Sequence, residues 1–278
     1  MTEQTLDQAL TLSANGAGGL TADLTTGFSN APRSWPGEKG APFGGLMSAL
    51  AMKAPRQALE ITQPLRSVSV QFLVGARFQP LTLTSEKLRG GRSAVYTSVR
   101  AGQGDRLAMS AQVTFGSPGD GPEVRAAAIV PPPLLDQPLT PMGDGFAPHF
   151  LHHVEHRFVG GIQLFGRNTT DRMGVWMRTV DGRPLDEARL AFLLDATFPV
   201  YWTMLPPPPA VSATADLRYD FFGPVPEDAA PDGWTYFEFV SRDSHAGWTV
   251  EDATAWAQDG RPLAVGRQLR KVLASRVG

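Results

Sequence analysis

The sequence predicts an α+β protein that contains two copies of one unit, each a helix followed by four antiparallel strands. Three observations support this prediction. The order of helical and strand-like segments in the first half returns in the second half. The 19-residue separation of Ser48 from Ser67 equals that of Asp195 from Thr214. A stretch dense in proline, typical of a linker, divides the halves. We therefore expect a first unit over residues 1–120, a linker packed along the surface over 121–146 and a second unit over 147–278.

Regular structure in the first unit is expected after a loop rich in proline and glycine, NAPRSWPGEKGAPFGG. Leu46, Leu50 and Ala54 then follow at helical spacing, and we expect Pro55 to kink the helix or to end it early. Four strand-like runs come next: SVSVQFLVG, LTLTSEKLRG, SAVYTSVRAG and LAMSAQVTFG. The turns between them are polar or contain glycine, as antiparallel hairpins require.

The second unit shows the same order after a candidate strand in FLHHVEHRFVGG that leads into VWMRTVDG. Asp186 and Glu187 favour a helix start, and the helix is expected to run through ARLAFLLDATF to about Pro199. The strand-like runs are SATADLRYDFF, WTYFEFVSRD, WTVEDATAWAQDG and PLAVGRQLRKVL. Aligning the two closing strands places Gln112 level with Gln268.

Composition excludes several functional classes. The 278 residues are 42% hydrophobic and 19% charged, enough to bury a core, and the net charge of −2 comes without a basic run. We therefore expect no nucleic-acid partner. The chain has no cysteine, which excludes disulfides and thiolate chemistry. No apolar run is long enough to span a membrane, and the N-terminus lacks the pattern of a signal peptide, so we expect a cytoplasmic protein without a membrane partner.

The ordered motifs resemble those of the acyl-CoA thioesterase II family and its thioesterase-like relatives. The resemblance rests on PFGGLMSALA, SVQFLVG, the GRS hairpin and the closing strand in the first half, and on LLDATF, SATADLRYDF and LAVGRQLRK in the second. It implies a double hotdog fold, in which each of two fused units wraps an antiparallel sheet around a central helix. It also implies hydrolysis of a fatty acyl-CoA thioester to free acid and CoA, without metal or cofactor, and a homo-oligomer of such chains.

In that family a helix aspartate, a strand threonine or serine and a glutamine of the last strand hold the attacking water. The matching positions are Asp195, Thr214 and Gln268. Their counterparts in the first unit are expected at Ser48, Ser67 and Gln112. Because one copy has a hydroxyl where the other has a carboxylate, we expect at most one complete hydrolytic site in the chain.

Asp195 has apolar neighbours in AFLLDATF, and burial would raise its pKa and make it a competent base for water. The alternative is a structural aspartate bonded to backbone amides or to an arginine. Thr214 and Gln268 are ordinary when taken singly, and Ser212 shares the expected strand face of Thr214. It is their place in the repeat that makes them candidates.

A second group of residues is expected to bind substrate. Gly44 and Gly45 open the first helix, where free amides stabilise the negative charge that develops on a thioester oxygen, although a plain loop-to-helix junction needs the same residues. Arg89, Arg92 and Ser93 at the hairpin either meet the phosphates of coenzyme A or are simply solvated.

Other catalytic patterns have little support. His149, His152, His153 and His156 alternate between the two faces of a strand, so we expect no metal site. His245 lies next to Asp243 and Ser244, but adjacency in a turn is not the geometry of a triad. No motif of a serine-hydrolase elbow, a P-loop or a dinucleotide fold occurs in the sequence.

Two alternative functions remain open at this point. Hotdog hydratases resemble this pattern but have a histidine five residues after the aspartate, where this chain has Val200. The other alternative is a non-catalytic protein that binds acyl thioesters and has kept the fold without turnover.

Overall fold

The computed structural model describes residues 4–16, 18–140, 147–206 and 211–273. One twelve-stranded antiparallel sheet lies against two central helices that also contact each other. The helices are α1 (Leu6–Ala9), α2 (Gly44–Ala58), α3 (Glu187–Leu193) and α4 (Tyr201–Met204). The strands are β1 (Ser13–Ala14), β2 (Leu20–Ala22), β3 (Leu65–Phe72), β4 (Leu81–Gly90), β5 (Ala94–Gln103), β6 (Arg106–Gly116), β7 (Val154–Phe158), β8 (Arg172–Thr179), β9 (Ser212–Phe221), β10 (Thr235–His245), β11 (Trp248–Trp256) and β12 (Pro262–Val272).

The strand order shows the duplication directly. It runs β1-β2-β4-β5-β6-β3-β9-β12-β11-β10-β8-β7. Read outward from the central pair β3-β9, the two halves have the same order of equivalent strands. At the centre β3 pairs with β9, and Ser69 lies opposite Arg218. Each of these strands has one unpaired residue, Arg66 in β3 and Ala215 in β9, at the same distance from this pair, so a pseudo-twofold axis passes through Ser69 and Arg218. The predicted α+β duplication is confirmed, and each half has two strands ahead of its central helix, β1 with β2 and β7 with β8. Strands β7 and β8 overlap the predicted segments FLHHVEHRFVGG and VWMRTVDG, whereas β1 and β2 were not predicted.

Helix α2 continues through the proline that was expected to disturb it. Pro55 lies in the last turn, and the helix ends at Ala58. The missing proline N–H leaves the carbonyl of Ala51 without its helical donor, and a single loss so close to the end is tolerated. The prediction that Pro55 ends the helix early is wrong. Leu46, Leu50 and Ala54 are buried, as their spacing predicted.

Helix α3 is shorter than its apolar run suggested, and this changes where Asp195 lies. Asp186 caps its start by accepting from the Arg189 backbone N–H at 2.7 Å. The helix ends at Leu193, and the chain then turns, with the Ala196 N–H donating to the Leu193 carbonyl at 3.0 Å. The prediction of a helix to about Pro199 is wrong, and Asp195 lies in a turn just beyond the helix.

The segment between the halves packs on the sheet, as predicted for the linker. The Ile129 N–H donates to the Gly260 carbonyl at 3.1 Å, and the Trp176 indole donates to the Pro132 carbonyl at 2.9 Å. The segment covers an aromatic cluster of Trp176, Trp234 and Tyr236. Positions 141–146 of the predicted linker lie outside the described residues. The division of the chain into units at 120 and 147 stays a prediction.

Within the described ranges, none of the helices is both long enough and apolar enough to cross a membrane.

Candidate active site

Asp195, Thr214 and Gln268 meet in one hydrogen-bonded group. The Gln268 side-chain amide Nε2 donates to Asp195 Oδ1 at 2.8 Å and to Thr214 Oγ1 at 2.7 Å. Asp195 and Gln268 are buried, and Thr214 is partly exposed. The three residues come from the turn after α3, from β9 and from β12. The structure therefore brings together the carboxylate, the hydroxyl and the amide that the sequence singled out.

A bulge in β9 makes this meeting possible. Gln268 lies opposite Leu217 and Leu269 opposite Asp216, but Arg270 lies opposite Thr214, so Ala215 has no partner on β12. In a regular strand Thr214 and Leu217 would point to opposite faces because they are three residues apart. The extra residue at the bulge restores Thr214 to the inner face, where Leu217 is buried.

Arg270 joins the group although the sequence analysis missed it. Its Nη2 donates to Gln268 Oε1 at 2.5 Å and lies 3.4 Å from Asp195 Oδ1. The Arg270 side chain is 12% exposed. It follows Gln268 by two positions on the same strand, so strand alternation alone could have placed both side chains on one face.

The N-terminus of α2 closes the other side of the carboxylate. The Gly45 backbone N–H donates to Asp195. A Cβ at Gly44 would come within 2.8 Å of Asp195 Oδ2, so only glycine leaves room for the carboxylate as it stands. Both glycines therefore line the site, with the amide of Gly45 directed at Asp195. Their predicted contact with a substrate oxygen stays a prediction.

The electrostatics of Asp195 reflect two opposing effects. Burial raises its pKa above the ordinary aspartate value, because the ionised form loses its hydration. The positive charge of Arg270 and the hydrogen bonds from Gln268 and Gly45 act in the opposite direction. The net result is a raised pKa, so the carboxylate is a stronger base than an exposed aspartate.

Two further ionisable groups face this carboxylate, and the sequence analysis found neither. Glu251 of β11 lies opposite Gln268, is buried, and accepts from the Val200 N–H at 2.7 Å. Burial raises its pKa, and so does the negative charge of Asp195. The buried hydroxyl of Tyr219 has no hydrogen-bond partner among the described residues, and burial raises its pKa well above the usual value.

Two family models match the chain, the acyl-CoA thioesterase N-terminal domain over residues 31–116 and the acyl-CoA thioesterase C-terminal domain over residues 131–270. Together they span most of its length. The chain belongs to the acyl-CoA thioesterase family. The chain is therefore a thioester hydrolase.

Solved structures of similar fold support the double hotdog assignment. A hotdog-fold protein of unknown function from Alicyclobacillus acidocaldarius has a TM-score of 0.84 at 22% identity and covers 97% of this chain and 98% of its own. A tesB protein of Mycobacterium avium subspecies paratuberculosis has a TM-score of 0.75 at 19% identity and covers 96% and 98%. Acyl-CoA thioesterase II TesB2 of Mycobacterium marinum has a TM-score of 0.72 at 17% identity and covers 97% and 98%. No curated protein matches the chain. The predicted double hotdog is confirmed.

The first half of this family member does not contain a second such group. Counting strand pairs outward from the axis makes Leu65 and Val113 the counterparts of Thr214 and Gln268. The predicted counterparts Ser67 and Gln112 are wrong, because the sequence alignment was displaced by two residues in β3 and by one residue in β6.

The remaining first-half positions are also apolar or hydroxylic. Phe115 occupies the place of Arg270, and Thr97 occupies that of Glu251. Ser48 lies inside α2 rather than after a helix, and its buried hydroxyl has no partner among the described residues. None of these side chains is a carboxylate, so a general base like Asp195 is lacking in this half of the described chain.

The hairpin that was predicted to bind coenzyme A lies elsewhere. Arg89, Arg92 and Ser93 are exposed at the turn between β4 and β5. The first residues of β5, next to this turn, pair with Phe115 of β6, and Phe115 in turn pairs with Leu65 at the start of β3. Thr214 lies beyond the opposite end of β3. The two ends are roughly 25 Å apart at the rise of a β-strand. The structure therefore does not bring the hairpin to Asp195.

The histidines that cluster in the sequence have separate structural contacts. His149–His153 form a 3₁₀ turn, and β7 begins only at Val154. His153 stacks on Phe28 with ring centroids 3.9 Å apart, and His156 Nε2 bonds the Ala196 carbonyl at 2.8 Å. Over the described parts of the chain, no group of three or more histidine, aspartate or glutamate side chains is placed to hold a metal ion.

Proposed function

We propose that this chain hydrolyses a fatty acyl-CoA thioester to free acid and CoA through a water activated by Asp195, with Thr214 and Gln268 orienting that water. The observation that carries the proposal is the buried Asp195 carboxylate, hydrogen-bonded to the same Gln268 amide that reaches Thr214. The fatty acyl chain of the substrate is proposed from the family to which the chain belongs.

The chemistry needs no covalent enzyme intermediate. Asp195 takes a proton from the water as its oxygen attacks the thioester carbonyl carbon, giving a tetrahedral intermediate. When the C–S bond breaks, the leaving thiolate accepts the proton from Asp195 and departs as CoA thiol. One water is consumed, one free acid and one thiol are released, and Asp195 returns to its ionised form.

The structure offers little for the hydration alternative. Val200, at the position where hotdog hydratases have a histidine, is a buried aliphatic residue whose N–H bonds Glu251. It has no group that can protonate or deprotonate a substrate. A cytoplasmic location and a homo-oligomeric state stay predictions from the sequence.

The test is release of free thiol from acyl-CoAs of several chain lengths. In Asp195→Asn the base is lost while the size of the side chain is kept, and we expect kcat to fall by at least about a hundredfold. Ser48→Ala, which alters the predicted first-half counterpart, serves as the matched control and should keep wild-type turnover. Wild-type turnover in Asp195→Asn would overturn the proposal, and loss of enoyl absorbance without thiol release would favour hydration.

A further inference from the structure

The Gln268 amide has a single orientation in which the proposed site works. Its Nε2 must face the Asp195 carboxylate and Thr214, which leaves Oε1 facing the other way. A flipped amide would direct its oxygen at the carboxylate, which accepts hydrogen bonds and donates none. Something must therefore hold Oε1 in place.

Arg270 meets this need. A guanidinium can only donate, so its 2.5 Å contact with Gln268 Oε1 is compatible with one amide orientation only. The same Nη2 lies 3.4 Å from Asp195 Oδ1, and its positive charge opposes the cost of burying that carboxylate. Arg270 thus contacts two of the three residues in the proposed water-binding group, Gln268 and Asp195.

We propose that Arg270 is a positioning residue for thioester hydrolysis, fixing the orientation of the Gln268 amide and holding Asp195 as a carboxylate. This inference rests on the proposed role of Asp195. Arg270 acts through Gln268 and Asp195 and does not itself touch the reacting atoms.

The charged and titratable surroundings of Asp195 favour this role. Glu251 faces it from β11 as a second buried carboxylate, Tyr219 faces it from β9, and α2 contributes only the Gly45 amide. Arg270 of β12 is the cation that acts on both Asp195 and Glu251. Without it, two buried carboxylates would face each other uncompensated, and the proton would be retained to higher pH.

Three substitutions separate the two effects of Arg270. Arg270→Lys keeps the positive charge, Arg270→Gln keeps an N–H donor without the charge, and Arg270→Met removes both. The measurement is the pH profile of kcat and of kcat/KM for thiol release, with circular dichroism to confirm folding. Arg267→Gln is the matched control, because Arg267 lies on the same strand but pairs with the exposed side of Asp252 at 2.7 Å.

We expect Arg270→Gln to move the acid limb of the profile to higher pH by about one unit, the size of effect produced by one nearby opposite charge. On the acid side this lowers kcat/KM about tenfold. Arg270→Lys should keep the acid limb close to that of wild type but lower kcat, and Arg267→Gln should match wild type throughout. Arg270→Met should show both losses, and if it does not fold, the Lys and Gln variants still decide.

An acid limb of folded Arg270→Gln that coincides with wild type would overturn this inference. That result is distinguishable from failure of the proposed function. If Asp195→Asn is inactive while Arg270→Gln keeps the wild-type profile, only the role of Arg270 is lost. If Asp195→Asn is fully active, both proposals are lost.

Discussion

Gly44 shows how a missing side chain shapes the site. Asp195 Oδ2 occupies space that a Cβ at position 44 would reach, and the carboxylate cannot move away freely because Gln268 holds its other oxygen. Glycine is a poor helix former, so its presence at the start of a buried helix costs intrinsic stability. This loss of helix stability is offset by the room that Gly44 leaves for the Asp195 carboxylate.

Gly44→Ala should therefore impair the site. We expect kcat for thiol release to fall by about a hundredfold as Asp195 is displaced, and the melting temperature to fall as well, because the buried hydrogen bonds that are lost outweigh the better helix propensity of alanine. Gly119→Ala, in open space after β6, is the matched control and should leave kcat unchanged. Unaltered kcat in Gly44→Ala would show that Asp195 adapts without functional loss.

At this scale the sequence predicted part of the site. Asp195, Thr214 and Gln268 were found through family resemblance, whereas the repeat partners assigned to Thr214 and Gln268 were wrong. Arg270 and Glu251 were not found, because an arginine and a glutamate in solvent-facing strand patterns look ordinary. Their burial depends on the pairing of β12 with β9 and β11, and strand pairing is a property of the folded sheet.

Among the elements, the β9 bulge decides which residues enter the site. Nothing in the sequence around Ala215 predicts that this residue is the unpaired one in the bulge. The two central helices and the four strands after each of them were predicted, since their periodicity is local. Helices α1 and α4 and strands β1 and β2 were not predicted. Nor was the end of α3 predicted, because Leu194 and Phe198 are buried by tertiary packing and continue an apolar run beyond the helix.

His156 links β7 to the turn that carries Asp195, through its contact with the Ala196 carbonyl. Burial lowers its pKa from 6.5 to about 4, so the folded chain keeps the ring neutral at pH values where the unfolded chain binds a proton. The associated stability is fully present above pH 6.5 and is lost as the pH falls toward 4. By proton linkage the loss is about 3 kcal/mol over that window.

Urea denaturation of wild type and of His156→Gln, at several pH values between about 7.5 and about 4.5, measures this pH-dependent stability. The variant should be less stable at neutral pH but should lose less stability on acidification, so the two curves converge. Parallel curves for wild type and His156→Gln would contradict the prediction.

The whole molecule is held together across its axis. Strands β3 and β9 form a continuous sheet, and a single core cluster extends through both halves. Arg56 of α2 pairs with Glu187 of α3 at 2.9 Å. Asp7 of α1 reaches across to the buried Arg189 at 2.7 Å, where Asp181 and Asp186 also pair with that guanidinium.

These connections predict one cooperative unfolding transition rather than two. Five of the six tryptophans lie in the second half and only Trp35 lies in the first, so fluorescence reports mainly on the second half. Far-ultraviolet circular dichroism reports on both. We expect the two transitions in urea to coincide. A circular dichroism transition that begins before the fluorescence change would show that the first half unfolds by itself.

The symmetry of the fold was readable from the sequence, but the way in which it is broken was not. Repeated order and spacing predicted two fused units. The structure adds that four buried positions, Leu65, Thr97, Val113 and Phe115, replace the polar group of the second half with apolar side chains and one threonine.

That replacement has a genetic consequence. In a dimer of identical subunits one codon specifies both sites, so neither site can be abandoned without the other. Fusion into one chain gives each site its own codons. The first half has three apolar side chains and a threonine where the second half keeps two carboxylates and a guanidinium largely out of water. The cost of desolvating these charges therefore arises once per molecule rather than twice.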